Sequence, residues 1–312
     1  MFQYQKPTIF PSEILAGYIE INAGVFSELP DGLDFKIRNK DSLNTSLDIL
    51  SSQLGLSKAH IVTANQVHQD TVLLVNEMLE DYTKLECDAI VTQNPAIIPS
   101  VRSADCGNIL LFDPVTNTRA VIHSGYKGTV LNIVGKSVEF MVNLGVDPSH
   151  LLAYVCPSIG QNALWVWQST GRDCPEEFKI GLGDEILRFA VVDTSVSFRG
   201  NREILIESAK ISHFVRNDNS AELLEKSSES SKYLNRAQTE IQNFPENEKP
   251  GFLIDLNGWI KFQLIEAGLK SENIEVCKIN TFEDLRFHSQ RRARIIDKSD
   301  SFGVGLGLIA LR

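Results

Sequence analysis

Three common sequence features are missing from this chain of 312 residues. No apolar run approaches the roughly 18 residues that a membrane-spanning helix needs. The residues after Met1 lack the basic and then apolar pattern of a signal peptide. The five cysteines include no CxxC pair, which disfavours a disulfide framework. We therefore expect a cytoplasmic protein with reduced thiols and no membrane partner.

Positive charge is also scarce. The chain has 30 Lys and Arg residues against 40 Asp and Glu residues, which gives a formal net charge of −10. This balance argues against nucleic acid or an anionic membrane as the main partner. One basic cluster stands out near the C-terminus, at Arg286, Arg291, Arg292 and Arg294. It is consistent with a phosphate or carboxylate site and equally with a solvated face.

The hydrophobic pattern predicts a mixed α/β protein. Hydrophobic residues make up 43% and charged residues 22%, a globular composition. Helices are predicted over 41–54, ending at Gly55, over 203–214, and over 254–269, opening at Asp255. A polar insertion is predicted at 217–249, and a polar, arginine-rich loop at 287–294. The remaining pattern favours a three-layer α/β/α sandwich with mixed sheets. Strands are predicted at 60–63, 71–75, 87–92, 100–103, 109–112, 119–122, 151–155, 190–192, 274–277 and 302–311.

The stretch from Val101 to Asp113 combines a buried strand with reactive side chains. Residues 109–112 form a short apolar run, and Asp105 and Cys106 come just before it. Gly107 permits close approach by a ligand or another backbone. A carboxylate and a thiol at the mouth of a buried strand are placed where catalysis often occurs. An inert buried cysteine beside a turn-capping aspartate is the alternative interpretation.

Two histidines join Cys106 as candidate metal ligands. His68 and His123 lie just past the ends of predicted strands, and Cys106 lies just before one. Two imidazoles and a thiolate suit zinc or copper, and three protein ligands leave a fourth position open for water or substrate. The three residues are 38 and 17 positions apart, unlike compact zinc modules. Three unrelated loop residues therefore remain the alternative.

The same residues support a second chemistry. Cys106 and His123 also suit the nucleophile and base of a cysteine hydrolase. The segment from His123 to Thr129 reads His-Ser-Gly-Tyr-Lys-Gly-Thr, which resembles an anion-binding turn before a helix that Thr129 would cap. Lys127 is either a point charge for an anion or an ordinary solvated lysine. Asp88 is predicted to be a structural cap.

Several segments together resemble one family, the laccase-domain or multicopper polyphenol oxidase-like proteins, also called YfiH-type. They follow the family's order and approximate spacing over about residues 60 to 295, so the set is more specific than any one motif. The matching segments are Gln66-Val-His68, Cys87-Asp-Ala-Ile-Val-Thr92, Ala104-Asp-Cys106, Leu110-Leu-Phe-Asp113, His123-Ser-Gly-Tyr-Lys-Gly-Thr129, Pro157-Ser-Ile159 and Phe287-His-Ser-Gln-Arg291.

The resemblance implies a fold and a metal site. The fold would be one laccase-like domain over 1–312, a layered α/β/α structure akin to the deamidase domain of cytotoxic necrotizing factors. His68, Cys106 and His123 would hold zinc, or alternatively copper, and would be the catalytic residues. The protein would be a monomer or homodimer.

The resemblance also implies an activity. Family members are described as purine nucleoside phosphorylases acting on adenosine, inosine and methylthioadenosine, with adenosine deaminase activity. Older descriptions call them copper-dependent polyphenol oxidases, and some members are linked to editing of peptidoglycan precursors. The partners would then be a purine nucleoside and phosphate. The implied substrate-binding residues are Gln66, Tyr126, Lys127 and Arg291.

This chain departs from the family pattern at several positions. Thr45 and Val304 stand where the family has arginines, and Cys156 replaces a glycine. Tyr126 and Lys127 replace Trp-Arg, which keeps aromatic and positive character but loses the bidentate guanidinium. The leading hypothesis is a metal-dependent purine nucleoside phosphorylase. The alternatives are a metal-free cysteine hydrolase or deamidase, a non-enzymatic metal or nucleoside-binding protein and, ranked low, a copper-dependent polyphenol oxidase, because His-rich clusters are lacking.

Overall fold

The computed structural model describes residues 3–21, 32–78, 81–161, 163–167, 189–193 and 251–312. The chain divides into two compact units, one of residues 1–160 and 259–312 and the other of residues 161–258. The predicted helix at 203–214 and the predicted insertion at 217–249 lie outside the described residues. Within those ranges, no helix is long and apolar enough to cross a membrane.

The first unit contains two mixed sheets. The strands of the five-stranded sheet are β1 Tyr4–Gln5, β2 Ile14–Ile19, β3 Ile61–Thr63, β6 Ile98–Ser103 and β14 Gly305–Leu311. Their spatial order is β1, β2, β14, β6, β3, and only β3 and β6 pair in parallel. The strands of the six-stranded sheet are β4 Val72–Leu74, β5 Ala89–Thr92, β7 Gly107–Phe112, β8 Arg119–Ser124, β9 Leu152–Val155 and β13 Ile274–Val276. Their spatial order is β13, β9, β7, β8, β5, β4.

An apolar layer packs between these two sheets. Tyr18 and Val101 enter it from the five-stranded sheet, and Leu110, Val121 and Tyr154 enter it from the six-stranded sheet. These residues are almost fully buried. Alternating side chains on each strand therefore serve one shared core and leave the outer faces to be covered by helices.

Helices cover both outer faces. Helix α1, Lys40–Leu54, packs Leu43, Leu47 and Leu50 against the five-stranded sheet. Helix α3, Ile133–Asn143, packs on the six-stranded sheet, contacting β8, β4 and β5. The predicted α/β class with mixed sheets is confirmed, and the β layer consists of two stacked sheets.

The second unit contains a three-stranded antiparallel sheet. Its strands are β10 Trp165–Trp167, β11 Ala190–Asp193 and β12 Gly251–Ile254, with β12 in the centre. Asp255 follows β12, and its Oδ1 accepts a hydrogen bond from the Gly258 backbone at 2.9 Å. Asp255 therefore caps helix α4, Leu256–Glu266, as the sequence predicted.

Two local predictions are wrong. Thr129 is not a helix N-cap, because it lies inside the short helix α2, Tyr126–Val130. The cap of α3 is Asn132, whose side chain accepts from the Gly135 backbone at 3.1 Å. The predicted polar loop at 287–294 contains helix α5, Gln290–Ile295. The Ser289 hydroxyl starts this helix by accepting from the backbone N–H of its third residue.

Candidate metal centre

Three separate parts of the first unit bring His68, Cys106 and His123 together. Cys106 immediately precedes β7, His123 lies in the neighbouring strand β8, and His68 lies in the connection between β3 and β4. The ligand atoms of all three side chains lie within 4.8 Å of one another. The two imidazole rings are nearly perpendicular, with centroids 4.7 Å apart. Three residues that are far apart in the sequence therefore form one cluster in the fold.

The cluster is open on one side. His123 is buried, Cys106 is half-buried and His68 is exposed. Antiparallel pairing of β7 with β8 places Gly107 opposite Ser124, so the cysteine and histidine meet at one end of the sheet. Solvent and small molecules can therefore reach the cluster from the side of His68.

Asp88 organises two of the three donors. Its Oδ1 lies 2.8 Å from Nδ1 of His123. The same carboxylate accepts backbone N–H bonds from Val67 at 3.2 Å, His68 at 3.0 Å and Gln69 at 2.9 Å. The predicted capping role of Asp88 is therefore accompanied by a second one, the orientation of His123. With Nδ1 engaged, Nε2 is the nitrogen of His123 that is available as a ligand.

The side chains of the cluster shift one another's pKa values through charge and hydrogen bonding. Burial raises the pKa of Cys106, but the neighbouring His123 and His68 outweigh burial and lower it to about 6. Burial lowers the pKa of His123, but the effects of Cys106 and Asp88 outweigh that of burial and raise the pKa of His123 to about 9. Burial also raises the pKa of Asp88, yet its hydrogen bond with His123 holds that pKa below its usual value. The sulfur is thus available in the form that binds metals.

Gly125 makes room for the sulfur. A Cβ built on Gly125 would lie 2.9 Å from Sγ of Cys106 and 3.6 Å from Cδ2 of His68. Any larger side chain here would displace the thiol. The donor types, their mutual distances, the second hydrogen bond on His123 and this clearance all fit a zinc or copper ion.

Three of the predicted substrate-binding residues, Gln66, Tyr126 and Lys127, lie within a few positions of His68 or His123 in the sequence. Gln66 uses its side-chain amide on the Arg102 backbone, donating to the carbonyl at 2.7 Å and accepting from the N–H at 2.8 Å. Tyr126 and Lys127 are half-buried and open α2, directly after Gly125. The structure therefore places Gln66 in the support of the His68 connection, and Tyr126 and Lys127 directly after Gly125, the residue that adjoins the thiol.

The four late arginines have different surroundings. Arg286 is paired with Asp284 at 2.7 Å, and Arg294 lies on the exposed side of α5. Arg291 is half-buried, and its backbone N–H donates to Asp105 Oδ2 at 2.7 Å. The guanidinium of Arg292 donates to backbone carbonyls of Thr281 at 2.7 Å, Phe282 at 3.2 Å, Asp284 at 3.3 Å and Phe287 at 2.5 Å. Arg292 therefore holds the 281–287 loop together. Arg291 is the arginine whose backbone is hydrogen-bonded to Asp105, the residue before Cys106.

Fold and site together define a class: a mixed α/β protein with a partly open His, Cys, His centre supported by a buried carboxylate. A family model described as multi-copper polyphenol oxidoreductase laccase matches residues 22–186 and 187–312. The chain belongs to this family.

Individual relatives match parts of the chain. A purine nucleoside phosphorylase of Deinococcus radiodurans is 33% identical over 163 residues, covering 52% of this chain and 61% of the relative. One from Streptomyces coelicolor is 32% identical over 118 residues, covering 38% and 49%. Adenosine deaminase RL5, from an unknown prokaryotic organism, is 33% identical over 149 residues, covering 45% and 55%. The chain spans roughly half the length of these curated relatives.

Solved structures confirm the fold over almost the whole chain. YlmD from Geobacillus stearothermophilus has a TM-score of 0.66 and 18% identity, covering 99% of this chain and 98% of YlmD. The Bacillus licheniformis hypothetical protein YfiH has a TM-score of 0.64 and 19% identity, covering 96% and 93%. At these identities the likeness concerns the fold alone.

Proposed function

We propose that this chain is a metal-dependent purine nucleoside phosphorylase, with His68, Cys106 and His123 as the ligands of one zinc ion. The observation that carries the proposal is the convergence of these donor atoms within 4.8 Å, with Asp88 behind His123. The names of the partial relatives, purine nucleoside phosphorylase and adenosine deaminase, support the choice of substrate.

The proposed reaction exchanges one bond at the ribose. A phosphate oxygen forms a bond to C1′ while the bond between C1′ and the purine nitrogen breaks, and the purine leaves with the bonding electron pair and then takes up a proton. Lys127 and Arg291 neutralise the phosphate, and Tyr126 stacks on the base. Gln66 keeps the His68 connection in place through the Arg102 backbone. A bound zinc ion would supply Lewis-acid polarisation of an oxygen atom in the open position.

The protein's own residues prepare this centre. Asp88 fixes the tautomer of His123 by engaging Nδ1, and it fixes the backbone of His68 at the same time. Burial of His123 and partial burial of Cys106 exclude bulk water from one side, which strengthens electrostatic interactions there. The exposed side, near His68, is where a nucleoside would enter.

The test is a phosphate-dependent assay with inosine, adenosine and methylthioadenosine, run on wild type, Cys106→Ala and Cys277→Ala. Cys277 is a half-buried free cysteine outside the cluster, so its variant controls for cysteine loss in general. We expect wild type and Cys277→Ala to release the purine base and the sugar 1-phosphate, which is ribose 1-phosphate from inosine and adenosine and 5-methylthioribose 1-phosphate from methylthioadenosine, and we expect loss of both products in Cys106→Ala. Equal turnover by Cys106→Ala would contradict the proposal.

A second candidate is a metal-free cysteine hydrolase or deamidase, favoured by the contact of Cys106 with the two imidazoles. As a deamidase, the protein would release ammonia from its substrate in the absence of phosphate. An alkylating reagent would label Cys106 stoichiometrically, at a rate that chelators do not change. Zinc-dependent protection of the thiol would reject this candidate in favour of the first.

A further inference from the structure

Asp105 has an unusual backbone conformation beside the thiol of Cys106. Its φ is +90°, in the left-handed region that residues with a side chain seldom occupy. Aspartate tolerates positive φ better than most residues, but such a conformation persists only where the surroundings hold it. The immediate sequence neighbour of a proposed ligand is therefore held in place by contacts from elsewhere in the fold.

Those contacts come from two remote segments, one at Ile159 and one that contains Thr281 and Arg291. The Asp105 carbonyl accepts the Ile159 N–H at 2.9 Å. Oδ1 accepts the Thr281 hydroxyl at 2.8 Å, and Oδ2 accepts the Arg291 backbone N–H at 2.7 Å. The Asp105 residue is only 8% exposed, so each carboxylate oxygen needs a donor, and each has one. One residue thus joins the strand of Cys106 to the segment that carries Arg291.

The segment from Thr281 to Arg292 is itself tightly connected. Arg292 donates to the Thr281 carbonyl at 2.7 Å, and the Thr281 N–H donates to the Ser158 carbonyl at 2.9 Å. Because the segment is cross-linked in this way, a shift at Thr281 is transmitted to Arg291. Both ends of the segment are tied to Asp105.

We propose that Asp105 is a positioning residue that sets the distance between the Cys106 sulfur and the Arg291 segment, and so the place of the bound phosphate relative to the metal ligands. This rests on the proposed function, in which Arg291 neutralises phosphate. Misplacement of a reacting group by about 1 Å lowers rates by roughly a hundredfold. A fixed link between Cys106 and the Arg291 segment would prevent such a misplacement of the phosphate.

The kinetic test uses Thr281→Val, which keeps the side chain's shape and removes the hydroxyl donor to Asp105. Thr281→Ser is the matched variant that keeps the donor. We expect Thr281→Val to raise KM for inorganic phosphate roughly tenfold, because the segment that carries Arg291 is then no longer fixed to Asp105 and the guanidinium shifts relative to the phosphate. KM for the nucleoside and the zinc content stay unchanged, and Thr281→Ser behaves as wild type. Equal phosphate KM values for Thr281→Val and Thr281→Ser would overturn the proposal.

Hydrogen exchange gives a readout that needs no activity. In Thr281→Val the Arg291 amide, which donates to the same carboxylate, loses protection by roughly tenfold, while amides of α1 on the far sheet do not change. Unchanged protection of Arg291 would overturn the positioning role even in an active enzyme. If wild type shows no phosphorolysis, the proposed function fails, and the exchange result alone then decides whether Asp105 links the two segments.

Discussion

Asp88 connects two histidines that lie far apart in sequence. Its carboxylate contacts Nδ1 of His123 and three successive backbone N–H groups around His68. A carboxylate behind a ligating histidine fixes ring orientation and raises ligand basicity. We therefore expect the metal affinity of the proposed centre to depend on a residue that is not itself one of the three donors.

Replacing Asp88 by Asn tests this dependence. The amide keeps the size of the side chain but removes the negative charge and one acceptor, so we expect zinc affinity to fall by about 10- to 100-fold. Competition with a chromophoric chelator measures it. Asp113→Asn is the control, because Asp113 is equally buried but holds only its own turn. Unchanged zinc affinity in Asp88→Asn would show that Asp88 does not contribute to metal binding.

Gly125 offers a second test at the level of one atom. A Cβ at this position would lie 2.9 Å from the Cys106 sulfur, so Gly125→Ala should displace the thiol and weaken zinc binding at least tenfold in a folded protein. Gly128→Ala is the matched control, three residues further on inside the short helix α2 that Gly125 precedes, where the nearest atom is Cγ2 of Ile133 at 3.3 Å. Isothermal titration with zinc compares the two. Equal affinities would show that the sulfur is not a ligand.

At the residue scale, the sequence alone was sufficient to nominate the donors but not their support. Histidine and cysteine are recognisable by chemistry, their places at the ends of predicted strands grouped them as candidate ligands, and the family resemblance strengthened that grouping. The pairing of Asp88 with His123 and the three contacts of Asp105 join residues 35 to 186 positions apart. Only the folded chain brings these partners together, so no local sequence pattern predicts these contacts.

Among the elements, the arginine-rich segment near the C-terminus was the least predictable. Its polarity indicated a loop, yet Ser289 caps a short helix over Gln290–Ile295. The stabilising contact is the Arg292 guanidinium, which binds carbonyls of the preceding turn. By contrast, α1 was predictable, because Leu43, Leu47 and Leu50 follow helical spacing and Gly55 ends the helix with φ of 66°.

Arg292→Lys tests the structural role of this guanidinium. Lysine keeps the charge, but its donors are all on one ammonium nitrogen, so it cannot reach the several carbonyls that the Arg292 guanidinium contacts. We expect a loss of about 1 to 3 kcal/mol in the free energy of unfolding, measured by urea denaturation. Arg294→Lys, on the exposed side of the helix, should change the stability little. Equal effects of the two variants would contradict the assignment.

On the scale of the whole molecule, two stacked sheets place the ends of β7 and β8 where loops from 68 and 125 can meet them. The strand periodicity predicted mixed sheets, and the family resemblance added the layered arrangement. The division of the β layer into two sheets depends on pairing between distant strands, such as β14 with β2 and β6, which the pattern does not encode. The single-domain organisation over 1–312, the cytoplasmic location and the oligomeric state stay predictions.

Metal binding should stabilise the fold as a whole. A ligand that binds only the folded state at about 100 times its Kd adds about 2.7 kcal/mol. Removal of zinc by a chelator should therefore lower the Tm of wild type by roughly 5 °C, and leave that of Cys106→Ala unchanged. Differential scanning calorimetry checks both proteins. Equal shifts in the two would place the stabilising metal elsewhere.

The most direct measurement is elemental analysis of the purified protein, with wild type beside Cys106→Ala and Cys277→Ala. The account predicts close to one zinc per chain in wild type and Cys277→Ala, and almost none in Cys106→Ala. Absence of metal from wild type even after zinc loading, or equal metal in all three proteins, would contradict a centre made by His68, Cys106 and His123.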